Sequence, residues 1–300
     1  MAFAIVAFVF ITADTSEANL RVSSRFSRHK KLKKELARKR LLEGSLLSKM
    51  KRSVLALSRI PEGLGRDQKR KEILDELILF VGQNAKTCSD CSGLWKKLSR
   101  TKEASVISQH MGSYEHHVEI EKSLFSKTAS LDDFDLFGGS EKLEQLISDE
   151  LALVPGSQEK SIAFIGSGPF PLTPILASNH VNTKITLVDS SIHAMASAQY
   201  FLREHGLFSK FSYARSKAEE MDFSSFDMVW LAAMVSPKEN VIPAIKQSLS
   251  KDALILDRQM VNFGQLFFGP KTKYGSLEDL EVVDVVDSYL DMPMTSTLLK

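Results

Sequence analysis

The chain runs to 300 residues, 43% hydrophobic and 25% charged, with a formal net charge of +2. These are the proportions of a soluble globular protein with material for one large domain or two modest ones, which sets aside a fibrous or wholly disordered chain. The near-neutral total hides an uneven spread: between Arg21 and Arg52 thirteen Lys and Arg face only Glu35 and Glu43, so the remainder is mildly acidic.

Met1 to Thr12 is apolar but too short to cross a bilayer. It has the look of a signal-peptide core without the preceding positive charge, and Met1 and Met50 are both candidate starts. The tract Arg28-His29-Lys30-Lys31-Leu32-Lys33-Lys34 carries enough charge to hold nucleic acid or anionic lipid. The preferred reading is a solvated, poorly ordered basic leader over 1–52, with no nucleic-acid and no membrane partner.

From 53 to 154 the pattern is helical. Ile73, Leu74, Leu77, Ile78 and Val81 recur at three and four, as on one face of a helix, and Pro61-Glu62-Gly63 marks a turn before them. Ser105 to Phe125 reads as a second helix interrupted near Gly112, and Leu143 through Leu146 and Ile147 to Leu151 as a third. Cys88 and Cys91 stand C-x-x-C. A zinc site needs a second ligand pair, and none lies at suitable spacing, so they read as reduced thiols in a loop between helices.

Past Pro155-Gly156, strands and helices alternate. Strands are expected at Ile162–Ile165, Ile185–Val188, Phe211–Ala214, Met228–Leu231 and Ala253–Leu256, with helices at Ile192–His205 and Val241–Leu249. Leu280–Val286 and Pro293–Leu299 end the chain as a β pair. The expected fold is α/β, a doubly wound Rossmann-like sheet of the class I methyltransferase type with an antiparallel edge, over 155–300 and behind the helical domain.

The most telling segment is Ser161-Ile162-Ala163-Phe164-Ile165-Gly166-Ser167-Gly168-Pro169-Phe170-Pro171. An apolar strand breaks at G-x-G before a helix, as in a nucleotide-binding βα turn. Pro171 occupies the place of the third glycine, which would bring a helix N-terminus against a pyrophosphate. S-adenosylmethionine has no phosphate and suits such a turn. Gly166, Ser167, Gly168 and Pro169 are therefore its expected cradle. Asp189, ending the second strand, can accept hydrogen bonds from both ribose hydroxyls. Ala232, Ala233 and Met234, just past strand four, would line the cleft, and Glu219 or Asp222 would sit near the adenine.

These residues resemble a known family. Phe164-Ile165-Gly166-Ser167-Gly168-Pro169-Phe170-Pro171-Leu172-Thr173 is similar to the F-I-G-S-G-P-L-P-L-T signature of nicotianamine synthases. Phe226-Asp227-Met228-Val229-Trp230-Leu231-Ala232-Ala233-Met234-Val235 resembles their Y-D-V-V-F-L-A-A-L-V. The likeness is specific over 155–300 and looser over 53–154. It implies transfer of the 3-amino-3-carboxypropyl group of S-adenosylmethionine, as co-substrate, to a small-molecule amine or amino-acid acceptor. Methylthioadenosine would be released and a nicotianamine-type metal chelator built, in the cytoplasm. The amine must lose a proton to attack. In Tyr114-Glu115-His116-His117-Val118-Glu119 the resemblance makes Glu119 the first choice of base, with Glu115 and Tyr114 behind it. It aims Arg258 at a substrate carboxylate, and implies no metal held by the protein.

One departure stands out. The family's tyrosine-rich stretch before the glycine turn corresponds here to Phe134-Asp135-Leu136-Phe137-Gly138-Gly139-Ser140, so the acceptor pocket is expected to be remodelled. The acceptor and the number of transfers stay open, as do two alternatives: an N- or O-methyltransferase on the same fold, and a non-catalytic S-adenosylmethionine-fold binding protein.

Overall fold

A computed structural model describes residues 2–60, 67–86, 88, 91–125, 139–274, 277, 280–287 and 293–300. The turn expected at Pro61-Glu62-Gly63 and the divergent stretch Phe134–Gly138 lie outside them. The chain divides into two compact units, Met1–Lys49 and Met50–Lys300.

The described residues of the first unit lie within helix α1 (Ala2–Leu57), which includes the basic tract. From residue 30 that tract is built of Lys, Leu, Glu, Ala and Arg, all good helix formers. Residues 30–38 are all exposed.

In the second unit, α2 (Asp67–Lys86) buries Leu74, Leu77 and Val81 from one face, and the short α3 (Ser92–Leu98) buries Trp95 and Leu98. Cys88 and Cys91 sit in the connection between these helices, paired as a disulfide with Cα atoms 5.8 Å apart. That corrects the expectation of two free thiols: the two backbones stand at the usual bridging separation. Helix α4 (Lys102–Phe125) buries Ala104, Ile107, Met111 and Tyr114. It runs unbroken through Gly112, where an interruption was expected. One glycine costs a helix only about 1 kcal/mol against alanine, and the buried turns on either side outweigh that. Helix α5 (Gly139–Ala152) buries Leu146, Ile147 and Glu150.

Seven strands follow: β1 (Ile162–Ile165), β2 (Ile185–Asp189), β3 (Phe211–Arg215), β4 (Met228–Leu231), β5 (Leu254–Met260), β6 (Val282–Asp287) and β7 (Met294–Leu299), in the order β3-β2-β1-β4-β5-β7-β6. The first five are parallel; β7 is antiparallel to both β5 and β6. The expected terminal β pair is therefore present, with the last strand inserted between β5 and the edge.

Strands β1 and β4 are buried on both faces, which is why they read as continuous apolar runs. Phe164 and Trp230 face the layer that holds Ile147 of α5, Ile175 of α6 (Leu172–Ala177) and Phe201 of α7 (Ile192–Glu204). Ala163, Ile165, Val229 and Leu231 face Val241, Ile242 and Ile245 of α8 (Lys238–Ser248). Helices on both faces of a mostly parallel sheet make this a class I methyltransferase-like fold with helices ahead of it. The strand order reverses at β1 and β4, so a crevice opens at their carboxyl ends. Strand β5 continues past the expected end at Leu256 through Asp257, Arg258 and Gln259, all buried. Their polarity hid the strand; Asp257 and Arg258 are paired with Lys238 and Glu150, and the Gln259 amide donates to Asp257.

Candidate active site

The glycine turn leaves β1 with Gly166 and Ser167 both donating backbone N–H to the Val188 carbonyl, at 2.9 and 3.2 Å. Gly166 and Gly168 have φ of 76° and 68°, a region costly for any residue with a Cβ. A Cβ would also force a neighbouring side chain to shift. One on Gly166 would lie 2.6 Å from Val235 Cγ2, and one on Gly168 would lie 2.7 Å from Glu119 Oε2. Gly166→Ala should therefore cost about 1–2 kcal/mol in strain alone and more through the clash with Val235. Adding Val235→Ala should recover only the steric part, as read from urea unfolding midpoints.

Asp189 ends β2 and ties the turn together: Oδ2 accepts from the Gly168 N–H at 3.0 Å and Oδ1 from the Ser191 N–H at 2.9 Å. Each oxygen keeps a lone pair for a ligand hydroxyl. Beside it, the Ser167 hydroxyl is buried with no hydrogen-bond partner among the described residues, a polar group of the kind that a bound ligand satisfies.

Helix α4 packs against α2, α7 and α9 (Gln265–Phe268), and this carries Tyr114, Glu115 and Glu119 to the crevice. The Tyr114 hydroxyl accepts from Lys71 Nζ at 3.2 Å; burial pushes the phenol up while Lys71 pulls it down, with a net rise. Glu115 is buried, and desolvation alone pushes its carboxyl from the ordinary 4.5 up to about 8. It therefore holds its proton at neutral pH. Glu119 stands one turn further along, its Oε2 over Gly168.

The raised Glu115 carries a pH signature. Below about pH 4.5 folded and unfolded chains both keep this proton; between 4.5 and 8 only the folded chain keeps it, so stability falls as pH rises through that window and levels off above it. Glu115→Gln should remove that slope, which amounts to a few kcal/mol on the order of 1.36 per unit. Unfolding free energies at pH 5 and pH 9, in both proteins, measure it.

At the carboxyl end of β5, Arg258 is buried and its fork is already engaged. Nε donates to Glu150 Oε1 at 2.7 Å, Nη2 to Glu150 Oε2 at 2.5 Å and Nη1 to Thr173 Oγ1 at 2.7 Å. Ser296 of β7 donates to the same Glu150, and the guanidinium lies 5.0 Å from the Trp230 ring centre. The arm expected to seize a substrate carboxylate is thus bound to α5 and α6. It braces the wall of the crevice. Next to it, Lys238 donates to Asp257 and to the Arg258 carbonyl, while Asp257 Oδ2 accepts from Gln259 at 2.7 Å and from Tyr274 at 2.6 Å. Burial lowers the Lys238 pKa against the pull of Asp257, and burial together with the Asp257 charge raises that of Tyr274.

The glycine turn, Asp189, the acids of α4 and Arg258 meet at one cavity of about 630 Å³, within the range of small-molecule sites. Glu119, Glu115, Tyr114, Gly166, Ser167, Gly168, Pro169, Asp189, Ala232, Ala233, Met234 and Arg258 all line it. Of the two acids placed near the adenine, Glu219 reaches the cavity. Asp222 instead is exposed and accepts from the Ser224 N–H and hydroxyl at 2.9 and 3.0 Å. Sequence reasoning assigned no role to Val235, Met260 and Met294, which also line the cavity: Val235 closes a quoted motif but its apolar side chain names no chemistry, and Met260 and Met294 stand outside any motif. The Cβ-intolerant glycines, the spare lone pairs of Asp189, the orphaned Ser167 hydroxyl and the apolar floor fit a nucleoside with an amino-acid arm.

Three solved structures share this architecture: a mutant of MtNAS (18% identity, 86% of this chain and 97% of that one, TM-score 0.71), that mutant in complex with S-adenosylmethionine (19%, 84% and 96%, 0.64), and MtNAS in complex with MTA and tNA (19%, 84% and 97%, 0.67). No curated protein matches. With the family described as nicotianamine synthase protein matching residues 80–289, the glycine turn, the acid-bearing helix and β5 included, the chain belongs to the nicotianamine synthase family.

Proposed function

We infer that this chain moves the 3-amino-3-carboxypropyl group of S-adenosylmethionine to the amine of a small-molecule acceptor, releasing methylthioadenosine, as a nicotianamine synthase does. The observation that carries the residue assignment is the Glu119 carboxyl oxygen over Gly168, in one cavity with Asp189. In this reading Asp189 accepts from the ribose hydroxyls, Ser167 supplies a further polar contact, and Ala232, Ala233 and Met234 leave room for the sulfonium and its amino-acid arm. Glu119 takes the proton that the acceptor amine must shed. Glu115, protonated at neutral pH, donates a hydrogen bond and leaves the base role to its neighbour. The cavity's other carboxyl groups, Glu119, Asp189 and Glu219, suit ligands bearing a sulfonium and an ammonium. A cytoplasmic location follows from the co-substrate, and the expected product is a nicotianamine-type chelator whose metal is cargo and not a protein ligand. Among the described residues no helix is long and apolar enough to cross a membrane.

Identification of the nucleoside product tests this. Methylthioadenosine released from S-adenosylmethionine in the presence of amine acceptors supports the reading. S-adenosylhomocysteine would replace it with methyl transfer, and binding without turnover would make the chain a binding protein. Asp189→Ala should weaken S-adenosylmethionine about 10–100-fold, as two hydrogen bonds to a charged acceptor are lost. Unchanged affinity by calorimetry would remove Asp189 from the ribose.

A further inference from the structure

The residues assigned to the site all belong to the second unit. Between Arg28 and Arg40 eight Lys and Arg face one acid, Glu35, which lies 4.0 Å from Lys39. Every residue from 30 to 38 is exposed. Ordinary surface helices bury one stripe, and packing of that stripe supplies most of their stability. Here Leu32 and Leu36, four apart on one face, are 54% and 50% exposed, and Leu41 is 76% exposed. Leucines left in water on a helix otherwise coated with lysines are a poor arrangement for an isolated solvated arm. They suit a surface that is negatively charged and apolar just beneath.

We propose that residues 28–41 of α1 form a peripheral docking helix for an anionic phospholipid surface. The lysines meet the headgroup phosphates and Leu32 and Leu36 enter the headgroup–acyl boundary, the binding mode of basic interfacial helices. The same helix carries the ten-residue apolar run Ala2–Ile11. Nucleic acid would satisfy the charge but offers nothing to the leucines, so lipid is the better match. The inference is independent of the transferase reading.

Co-sedimentation of the full chain with phosphatidylcholine vesicles, with and without phosphatidylserine, tests it. Binding should appear only with the anionic lipid, weaken with salt and resist competition by inorganic phosphate. Replacing Lys30, Lys31, Lys33 and Lys34 by Gln should reduce partitioning about a hundredfold or more, at roughly 1 kcal/mol per basic residue. Leu32→Ser with Leu36→Ser should reduce it at unchanged charge. All six positions are exposed, so circular dichroism should show the helix content retained and S-adenosylmethionine affinity should not move. Equal binding to neutral vesicles, no binding, or insensitivity to the leucine changes would each overturn the proposal. So would tighter retention on RNA or duplex DNA, which would make the helix a nucleic-acid arm.

Discussion

Glu119→Gln should lower the rate of methylthioadenosine release about 10²–10⁴-fold, the usual worth of a positioned general base, while S-adenosylmethionine affinity stays nearly constant. Glutamine keeps the length and shape of glutamate, so the contact over Gly168 survives and only the proton acceptor is lost. Glu115→Gln is the internal comparison. Because burial raises that carboxyl to about 8, it is already neutral at pH 7, and an amide mimics it; the loss there should be far smaller. Single-turnover rates together with calorimetry separate chemistry from binding. A fully active Glu119→Gln protein would take the base role away from Glu119, and a larger loss at Glu115 would transfer it there.

Glu150→Ala should be the most damaging single change to stability, at about 3–5 kcal/mol. It strands a guanidinium that is 3% exposed and deprives the Ser296 hydroxyl of its acceptor. The cost lies in the orphaned charge and not in the worth of the pair. Glu150→Leu combined with Arg258→Met should accordingly be milder than Glu150→Ala alone, and it keeps the test readable should the single variant fail to fold. Denaturant midpoints for the three proteins decide the matter. A Glu150→Ala cost below about 1 kcal/mol, the value of an exposed pair, would mean that water reaches the guanidinium. Because Arg258 Nη1 also holds Thr173 in the first turn of α6, the surviving double variant should bind S-adenosylmethionine less tightly.

The strands of the parallel sheet were legible where both faces are apolar. Ile162–Ile165 and Met228–Leu231 are found with the expected bounds, because a centrally buried strand must be written in apolar residues throughout. The glycine turn was legible for a different reason: a backbone at positive φ under close neighbours tolerates almost nothing but glycine. Away from the turn, acids and arginines were legible only as residue types. Arg258 reads alike whether it meets a substrate or Glu150, 108 positions earlier in the chain.

Local pattern therefore specified the order of strands and helices, the nucleoside-type turn and the acid that closes it, since each answers to its own backbone geometry and to burial along its own element. Long-range packing settled what the pattern could not hold: β7 entering between β5 and β6, α4 setting Glu119 above Gly168, the proton that Glu115 keeps and the partner that occupies Arg258. Charge state and pairing depend on which groups distant segments bring within a few ångströms and on the water they displace, and neither is written in neighbouring residues.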